Sequence, residues 1–432
     1  MGNFFGTDGI RGVVGEDLTS RTAFALGNAL TRLKQDPKVI LGRDTRASSD
    51  MLSLALAAGV TAGGGNVYDA GVIPTAAVSF FVRREKADFG VVVSASHNPA
   101  KFNGLKVFDE EGLKLSEKSE KRAEKYFNDY TYAGPLSVGR FYPLESAGEY
   151  AAYLAASCTR SLRGKKFVLD CANGAAEKIA PEVFRRLGAE VVVIGAESDG
   201  QNINEGCGAL HPEKLRALTL SSGADAGFCY DGDADRLIAC DEKGELVDGD
   251  KILCIFALSL KRKGALREKT VVGTTHTNTG AEQHLARAGI KLIRTDIGDK
   301  YVAEAMRRSG AQVGGEQSGH VILADYAETG DGILTSVKLA ERIAEKRLSR
   351  LADIKLFPQY NASVKVKDKV RVLGDEHLRD FIDAARQGVA RLVVRASGTE
   401  PVIRIFAEAE KRRDARAAVE AVRAEIASCE GG

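Results

Sequence analysis

The feature that most constrains this chain is a unit repeated along its first three-quarters. A short β-branched apolar run stops abruptly at Gly, Asp, Asn or Ser, and a helix-like segment follows. Val39-Ile40-Leu41 ends in Gly42-Arg43-Asp44, and Val91-Val92-Val93 ends in Ser94-Ala95-Ser96-His97-Asn98-Pro99. Phe167-Val168-Leu169 ends in Asp170-Cys171-Ala172-Asn173-Gly174, Gly227-Phe228-Cys229-Tyr230 in Asp231-Gly232-Asp233, and Val271-Val272 in Gly273-Thr274-Thr275. Runs of this kind, separated by helices, read as buried parallel strands in βαβ units. The helices are amphipathic: Thr22, Leu26, Leu30 and Leu33 share one face. Ligands of open parallel sheets bind beyond the carboxyl ends of the strands, and every one of these polar turns sits at such an end.

At 432 residues the chain exceeds one ordinary core, and domains of roughly 100–200 residues are expected. The predicted fold class is α/β: three mixed or parallel-sheet domains over 1–152, 153–248 and 249–357, then a C-terminal α+β domain over 358–432. In that last part Val364 to Val372, Leu392 to Arg395 and Val402 to Phe406 look like strands joined by short turns. One closing helix follows, with Ala415, Val419, Val422 and Ile426 on one face.

Several function classes are excluded early. Lys plus Arg number 61 and Asp plus Glu 59, a net charge of +2, which argues against a nucleic-acid or membrane-surface partner. The seven cysteines are irregularly spaced with no C-x-x-C pair, so neither a disulfide framework nor a zinc knuckle is expected, and a reduced cytoplasmic setting is the simplest expectation. Met1 to Gly6 lacks the pattern of a signal peptide. The apolar stretch Ile252 to Leu260 is far short of the ~20 residues of a membrane span. Glycine is high, 46 residues against 9 prolines, which suits tight turns where backbone approaches a ligand.

Four turns carry chemistry. Asp231-Gly232-Asp233-Ala234-Asp235-Arg236 alternates three acids just after a strand. In an extended loop alternate side chains point the same way, so the three can converge on one hard cation such as Mg²⁺. Ser94-Ala95-Ser96-His97-Asn98-Pro99 offers two hydroxyls as nucleophile candidates. Arg395-Ala396-Ser397-Gly398-Thr399-Glu400-Pro401, with Arg404 in the next strand, forms an anion cup of guanidinium, hydroxyl and backbone donors. Gly314-Gly315-Glu316-Gln317-Ser318-Gly319-His320 gathers the paired donors and acceptors that sugar hydroxyls take. A hard-metal site, a hydroxyl nucleophile, an anion clamp and a polyol reader together fit phosphoryl transfer on a phosphorylated sugar.

At these residues the chain strongly resembles the α-D-phosphohexomutase family. The match runs nearly end to end in family order, through Phe5 to Gly12, Ser94 to Pro99, Asp231 to Arg236, Gly315 to His320 and Arg395 to Pro401. Gly200 to Glu205 with Cys207-Gly208, Gly298 to Val302 and Gln317 incline it toward the bacterial branch acting on glucosamine phosphate, with the glucose- and mannose-phosphate branches as the alternative. The resemblance implies four domains around a central cleft and a cytoplasmic isomerase feeding UDP-N-acetylglucosamine and cell-wall precursor synthesis. It implies that Ser96 is the activating phosphoserine and that one Mg²⁺ is held by Asp231, Asp233, Asp235 and an oxygen on Ser96. It implies that Glu316 and Ser318 read the sugar, and that Arg395, Ser397, Gly398, Thr399 and Arg404 hold the phosphate not being transferred. Arg11, His97, Lys106, Arg236 and His320 are expected at the reacting centre, with Lys106 or His320 as general acid/base. Phosphosugar is the expected partner, and a homodimer is allowed. Two alternatives remain: a sugar phosphatase using Asp231 as nucleophile, which predicts release of inorganic phosphate and no need for Ser96, and a catalytically silent phosphosugar-binding protein, which predicts binding without turnover.

Overall fold

A computed structural model of the chain describes residues 4–6, 8–397 and 400–431. It divides into two compact units, Met1–His276 with Ile290–Asp353, and Thr277–Gly289 with Ile354–Gly432.

The first unit contains three mixed sheets. The first is formed by β1 (Ile10–Val13), β2 (Lys38–Arg43), β3 (Asn66–Val72), β4 (Phe89–Val93), β5 (Phe102–Phe108) and β6 (Phe141–Pro143), in the order β1-β5-β4-β2-β3-β6. The second is formed by β7 (Lys166–Asp170), β8 (Glu190–Ile194), β9 (Ala226–Tyr230), β10 (Leu237–Asp241) and β11 (Leu246–Val247), in the order β11-β10-β9-β7-β8. The third is formed by β12 (Thr270–Thr274), β13 (Lys291–Thr295), β14 (Val313–Gly315) and β15 (Val321–Leu323), in the order β13-β12-β14-β15. Each has a parallel centre and an antiparallel flank: β4 pairs parallel with β2 and antiparallel with β5, β9 with β7 and β10, and β14 with β12 and β15. The apolar runs of the sequence become β2, β4, β7, β9 and β12. Strands β4, β9 and β12 are buried along their whole length, as runs without alternation require. Helix Ser20–Leu33 starts at Thr19, whose side chain accepts from Thr22 N–H, and buries Leu26 and Leu30 completely.

The second unit has a three-stranded antiparallel sheet of β16 (Gln359–Lys365), β17 (Arg391–Ala396) and β18 (Val402–Glu408), with β18 central. Ala415, Val419, Val422 and Ile426 of helix Arg412–Gly431 are fully buried in its core. One expectation is corrected here. Val364 to Val372 is not a single strand, because β16 stops at Lys365 and a helix runs over Lys369–Gly374. The valines at 364, 366, 370 and 372 alternate as a strand would, but Asp368 caps the new helix by accepting from the N–H groups of Val370 (2.9 Å) and Arg371 (3.0 Å). Asp375 likewise accepts from Leu378 N–H (2.9 Å) and opens helix Glu376–Arg386, so the closing helix has two companions. Helix Thr279–Arg287 belongs to this unit through Glu408, which is fully buried and accepts from Thr279 N–H (3.0 Å) and its hydroxyl (2.8 Å). Among the described residues no helix is long and apolar enough to cross a membrane.

Candidate active site

The turn after β4 separates the two serines that the sequence leaves open. Ser94 lies beneath the loop: its Oγ donates to Asp44 Oδ2 (2.6 Å) and accepts the N–H of Ser96 (2.9 Å). Ser96 is almost fully buried and left-handed, with φ +52°, a conformation that a serine adopts only when its surroundings impose it. Its Oγ donates to Asp231 Oδ2 at 2.6 Å and lies 3.3 Å from His97 Nδ1. Burial, then the positive charges of Arg236 and Arg11, push His97 down to about 4, so its ring is neutral near pH 7.

The three aspartates after β9 meet as expected, by a different geometry. The chain is not extended there. Ala234 is left-handed (φ +56°) and donates its N–H to the carbonyl of Asp231 (2.9 Å), so a tight turn folds the acids together. Ligand oxygens of Asp231, Asp233 and Asp235 all lie within 4.8 Å of one another, and all three residues are buried. Such a cluster cannot ionise freely. Burial first, then the charges of Asp235 and Asp233, push Asp231 up to about 7. Burial opposes the charge of Asp235 too, but Lys106, His320 and Arg236 hold it well below the usual carboxylate range. Among the described residues, Oδ1 of Asp233 and Oδ1 of Asp235 are buried with no hydrogen-bond partner. Unsatisfied oxygens in an all-carboxylate set are what a hard divalent cation takes up, so the residues fit Mg²⁺.

Cationic groups surround the acids. Lys106, from β5, donates to Asp233 Oδ2 (2.7 Å) and Asp235 Oδ2 (3.2 Å). Burial disfavours its charge, yet Asp233, Asp235 and Asp8 hold its pKa well above the ordinary lysine value. Arg236 Nε lies 3.8 Å from both Asp231 and Asp235. His320 is buried, with Nδ1 3.7 Å from Asp235 and Nε2 3.6 Å from Asp299. Burial works against its charge and the carboxylates outweigh it, raising His320 to about 9, while Gly330 N–H points into Nε2 at 3.0 Å and opposes a proton there. Arg11 pairs with Asp8.

Four residues outside the sequence-derived set complete the cluster. Lys114 bridges Asp8 and Asp299, with 2.7 Å to Asp299 Oδ1. Thr75 donates to Asp233 Oδ2 (2.5 Å). Their partners lie far along the chain, so no local spacing exposes them. The one signal was the position of Asp8 and Asp299 inside glycine-rich motifs already picked out.

Glu316 Oε1 accepts from Gly298 N–H (3.0 Å), and Ser318 Oγ is buried without a hydrogen-bond partner among the described residues. The turn carrying them is joined to the acid loop, since Leu237 N–H donates to the Gly319 carbonyl (3.0 Å) and Arg236 bridges to His320. In the second unit Arg395 and Arg404 face each other across β17 and β18, both exposed. Arg404 pairs with Glu400 (2.6 Å), so the Glu400 carboxylate already meets part of this positive charge. Ser397 is buried, and its carbonyl accepts from Lys369 Nζ (2.6 Å); Gly398 and Thr399 lie outside the described residues.

A serine hydroxyl held against a buried acid trio, in mixed α/β sheets, suits an enzyme of the phosphoryl-transfer class. Family models agree on what kind. The phosphoglucomutase/phosphomannomutase α/β/α domain I matches residues 2–133, domain II 148–244, domain III 248–360, and the C-terminal domain 336–426. A phosphoglucosamine mutase of Caldanaerobacter subterraneus is 46% identical over 426 residues, covering 95% of each chain. One of Dictyoglomus turgidum is 47% identical over 425 residues, again covering 95% of each. Among solved structures, a phosphoglucomutase/phosphomannomutase family protein of Burkholderia thailandensis superposes with a TM-score of 0.82 at 25% identity, over 100% of this chain and 98% of the other. An Aspergillus fumigatus N-acetylphosphoglucosamine mutase, solved with GlcNAc-6P and magnesium, shares the fold with a TM-score of 0.69 at 19% identity, over 99% and 96%. The chain belongs to the phosphoglucomutase/phosphomannomutase family, the α-D-phosphohexomutases, and is an isomerase that transfers phosphate intramolecularly.

Proposed function

We propose that this enzyme interconverts glucosamine 6-phosphate and glucosamine 1-phosphate. The observation that carries the reading is Ser96 Oγ, 2.6 Å from Asp231 in the acid trio, in a chain whose relatives at 44–47% identity are named phosphoglucosamine mutase. The resting enzyme carries a phosphoryl group on Ser96. The 1-hydroxyl of glucosamine 6-phosphate attacks its phosphorus, the Oγ–P bond breaks, and the hydroxyl proton leaves to a protein base. The resulting 1,6-bisphosphate turns over in the site. Ser96 Oγ then takes the 6-phosphoryl group, the O6–P bond breaks, and a proton returns to O6. Ser96 is phosphorylated again and glucosamine 1-phosphate departs.

Asp231, Asp233 and Asp235, with a phosphoserine oxygen, would hold one Mg²⁺, which supplies counter-charge to the transferring group. Lys106 or His320, each beside the acids, serves as the general acid/base. Arg11, His97 and Arg236 orient the reacting phosphate. Glu316 and Ser318 bind sugar hydroxyls. Arg395, Ser397, Gly398, Thr399 and Arg404 grip the phosphate that is not reacting, so binding energy remote from the chemistry positions it.

The test is direct. Phosphorylated protein with Mg²⁺ is offered glucosamine, glucose and mannose phosphates, and isomer and free phosphate are measured. Fastest isomerisation of the glucosamine phosphates, abolished by Ser96→Ala, is expected. Normal turnover by Ser96→Ala would overturn the phosphoserine route, and release of inorganic phosphate without isomer would point to hydrolysis instead.

A further inference from the structure

We propose that Arg46 and Asn204 are positioning residues that hold Ser96 in its left-handed conformation and so aim its hydroxyl at the acid trio; this rests on the reading of Ser96 as the phosphoryl carrier. The Arg46 side chain is fully buried. Its Nη2 donates to the carbonyls of Ser96 (2.9 Å) and Asn98 (2.8 Å), and its Nη1 to those of Pro99 (2.6 Å) and Phe102 (3.0 Å). Its Nε pairs with Asp44 (2.8 Å), the same carboxylate that receives the Ser94 hydroxyl. Asn204 comes from the opposite side, on the Gly200–Glu205 turn that the catalytic reading leaves unused. It is itself left-handed (φ +60°), and its Nδ2 donates to the same two carbonyls, Ser96 (3.0 Å) and Asn98 (3.2 Å).

The backbone of Ser96 is thus held at both ends by side chains. Ser94 takes its N–H, and Arg46 and Asn204 take its carbonyl. Only a guanidinium has enough donors in a rigid fork to span four carbonyls and a carboxylate. A serine free to choose would leave positive φ, and its Cα–Cβ bond would swing away from Asp231. The clamp sits beneath the loop, and neither side chain bonds the Ser96 hydroxyl, so its action is on geometry.

Three variants test this. Asn204→Gly keeps the left-handed backbone and deletes only the amide. Asn204→Asp keeps the shape and replaces the donor with an acceptor facing two carbonyls. Arg46→Lys keeps the charge and loses the fork. Each is mixed with glucose 1,6-bisphosphate and Mg²⁺, and phosphoryl uptake on Ser96 is followed by intact mass: Oγ–P forms, the sugar O–P bond breaks, and the Oγ proton passes to the released sugar oxygen. Steady-state kcat and KM for glucosamine 6-phosphate and the thermal midpoint accompany it. Uptake and kcat should fall about tenfold in Asn204→Gly and about a hundredfold in Asn204→Asp and Arg46→Lys, the scale of a 1 Å misplacement. KM of the Asn204 pair should hold near wild type, while the midpoint falls, more in Asn204→Asp, whose acceptor faces two carbonyls, than in Asn204→Gly. Wild-type uptake in both Asn204 variants, or a loss shared equally between kcat and KM, would overturn the proposal. Absence of labelling at Ser96 in the wild-type enzyme would overturn the carrier reading itself.

Discussion

Replacing Asp331 by Asn should stabilise the first unit at neutral pH and leave it nearly unchanged in acid. Asp331 is 1% exposed. Its carboxylate accepts the Tyr150 hydroxyl at 2.5 Å and the N–H of Leu334 at 2.9 Å, and so caps helix Gly332–Ile343, whose first residue donates its N–H to the Ala234 carbonyl of the acid loop. The groups facing it are the phenols of Tyr150, Tyr153 and Tyr230. Burial pushes its pKa from 3.8 to about 6 against the pull of those hydrogen bonds. The folded protein therefore holds this proton more tightly than the unfolded chain. The stabilisation is complete below pH 3.8, declines as pH rises and is gone above about 6. A rise of about two units is worth about 3 kcal/mol. Asn keeps an acceptor for Leu334 and never ionises. Thermal midpoints of wild type and variant, compared on both sides of about pH 6, isolate the term because other groups cancel. The variant should gain roughly 4 °C on the alkaline side, the size expected for a unit this large, and converge with wild type on the acid side. A constant difference across pH, or a variant less stable at neutral pH, would refute the reasoning.

Other perturbations follow from the same contacts. Asp233→Asn removes a carboxylate that also receives Lys106 and Thr75; the Mg²⁺ concentration for half-maximal turnover should rise about tenfold or more, and an unchanged metal dependence would count against the metal assignment. A Cβ added in Gly232→Ala would lie 2.6 Å from the Ser96 carbonyl oxygen and 2.7 Å from Ile203 Cδ1. That variant should lose about 1–3 kcal/mol of stability together with most of its kcat, and wild-type turnover would show that the loops do not interlock. Arg395→Ala or Arg404→Ala should lower kcat/KM about 10- to 100-fold, from about 1.5–3 kcal/mol per charge-assisted hydrogen bond, mainly through KM; an unchanged KM would remove them from the phosphate clamp.

Range along the chain decided what could be read from residues alone. The strands were legible because a run such as Phe89–Val93, buried at every position, has few other places to go. The acid trio was legible because its parts sit within one turn, although the turn converges through left-handed Ala234 and not through extension. Val364 to Val372 misled because alternating valines satisfy a strand pattern while the cap at Asp368 outweighs it. Lys114 and Arg46 stayed hidden for a different reason. Lys114 meets Asp8 and Asp299 across 106 and 185 residues, and Arg46 meets the serine loop across 50 or more.

Those distant pairs have one electrostatic consequence. Asp8, Asp231, Asp233, Asp235 and Asp299 face Arg11, Lys106, Lys114, Arg236 and the titrating His320 in the first unit, so the cluster is close to neutral before any ligand arrives. A phosphoserine adds about −1.5 to −2, and a divalent cation returns nearly the same amount. If Ser96 carries a phosphoryl group and the trio binds a divalent cation, the two added charges would nearly cancel within the buried cluster.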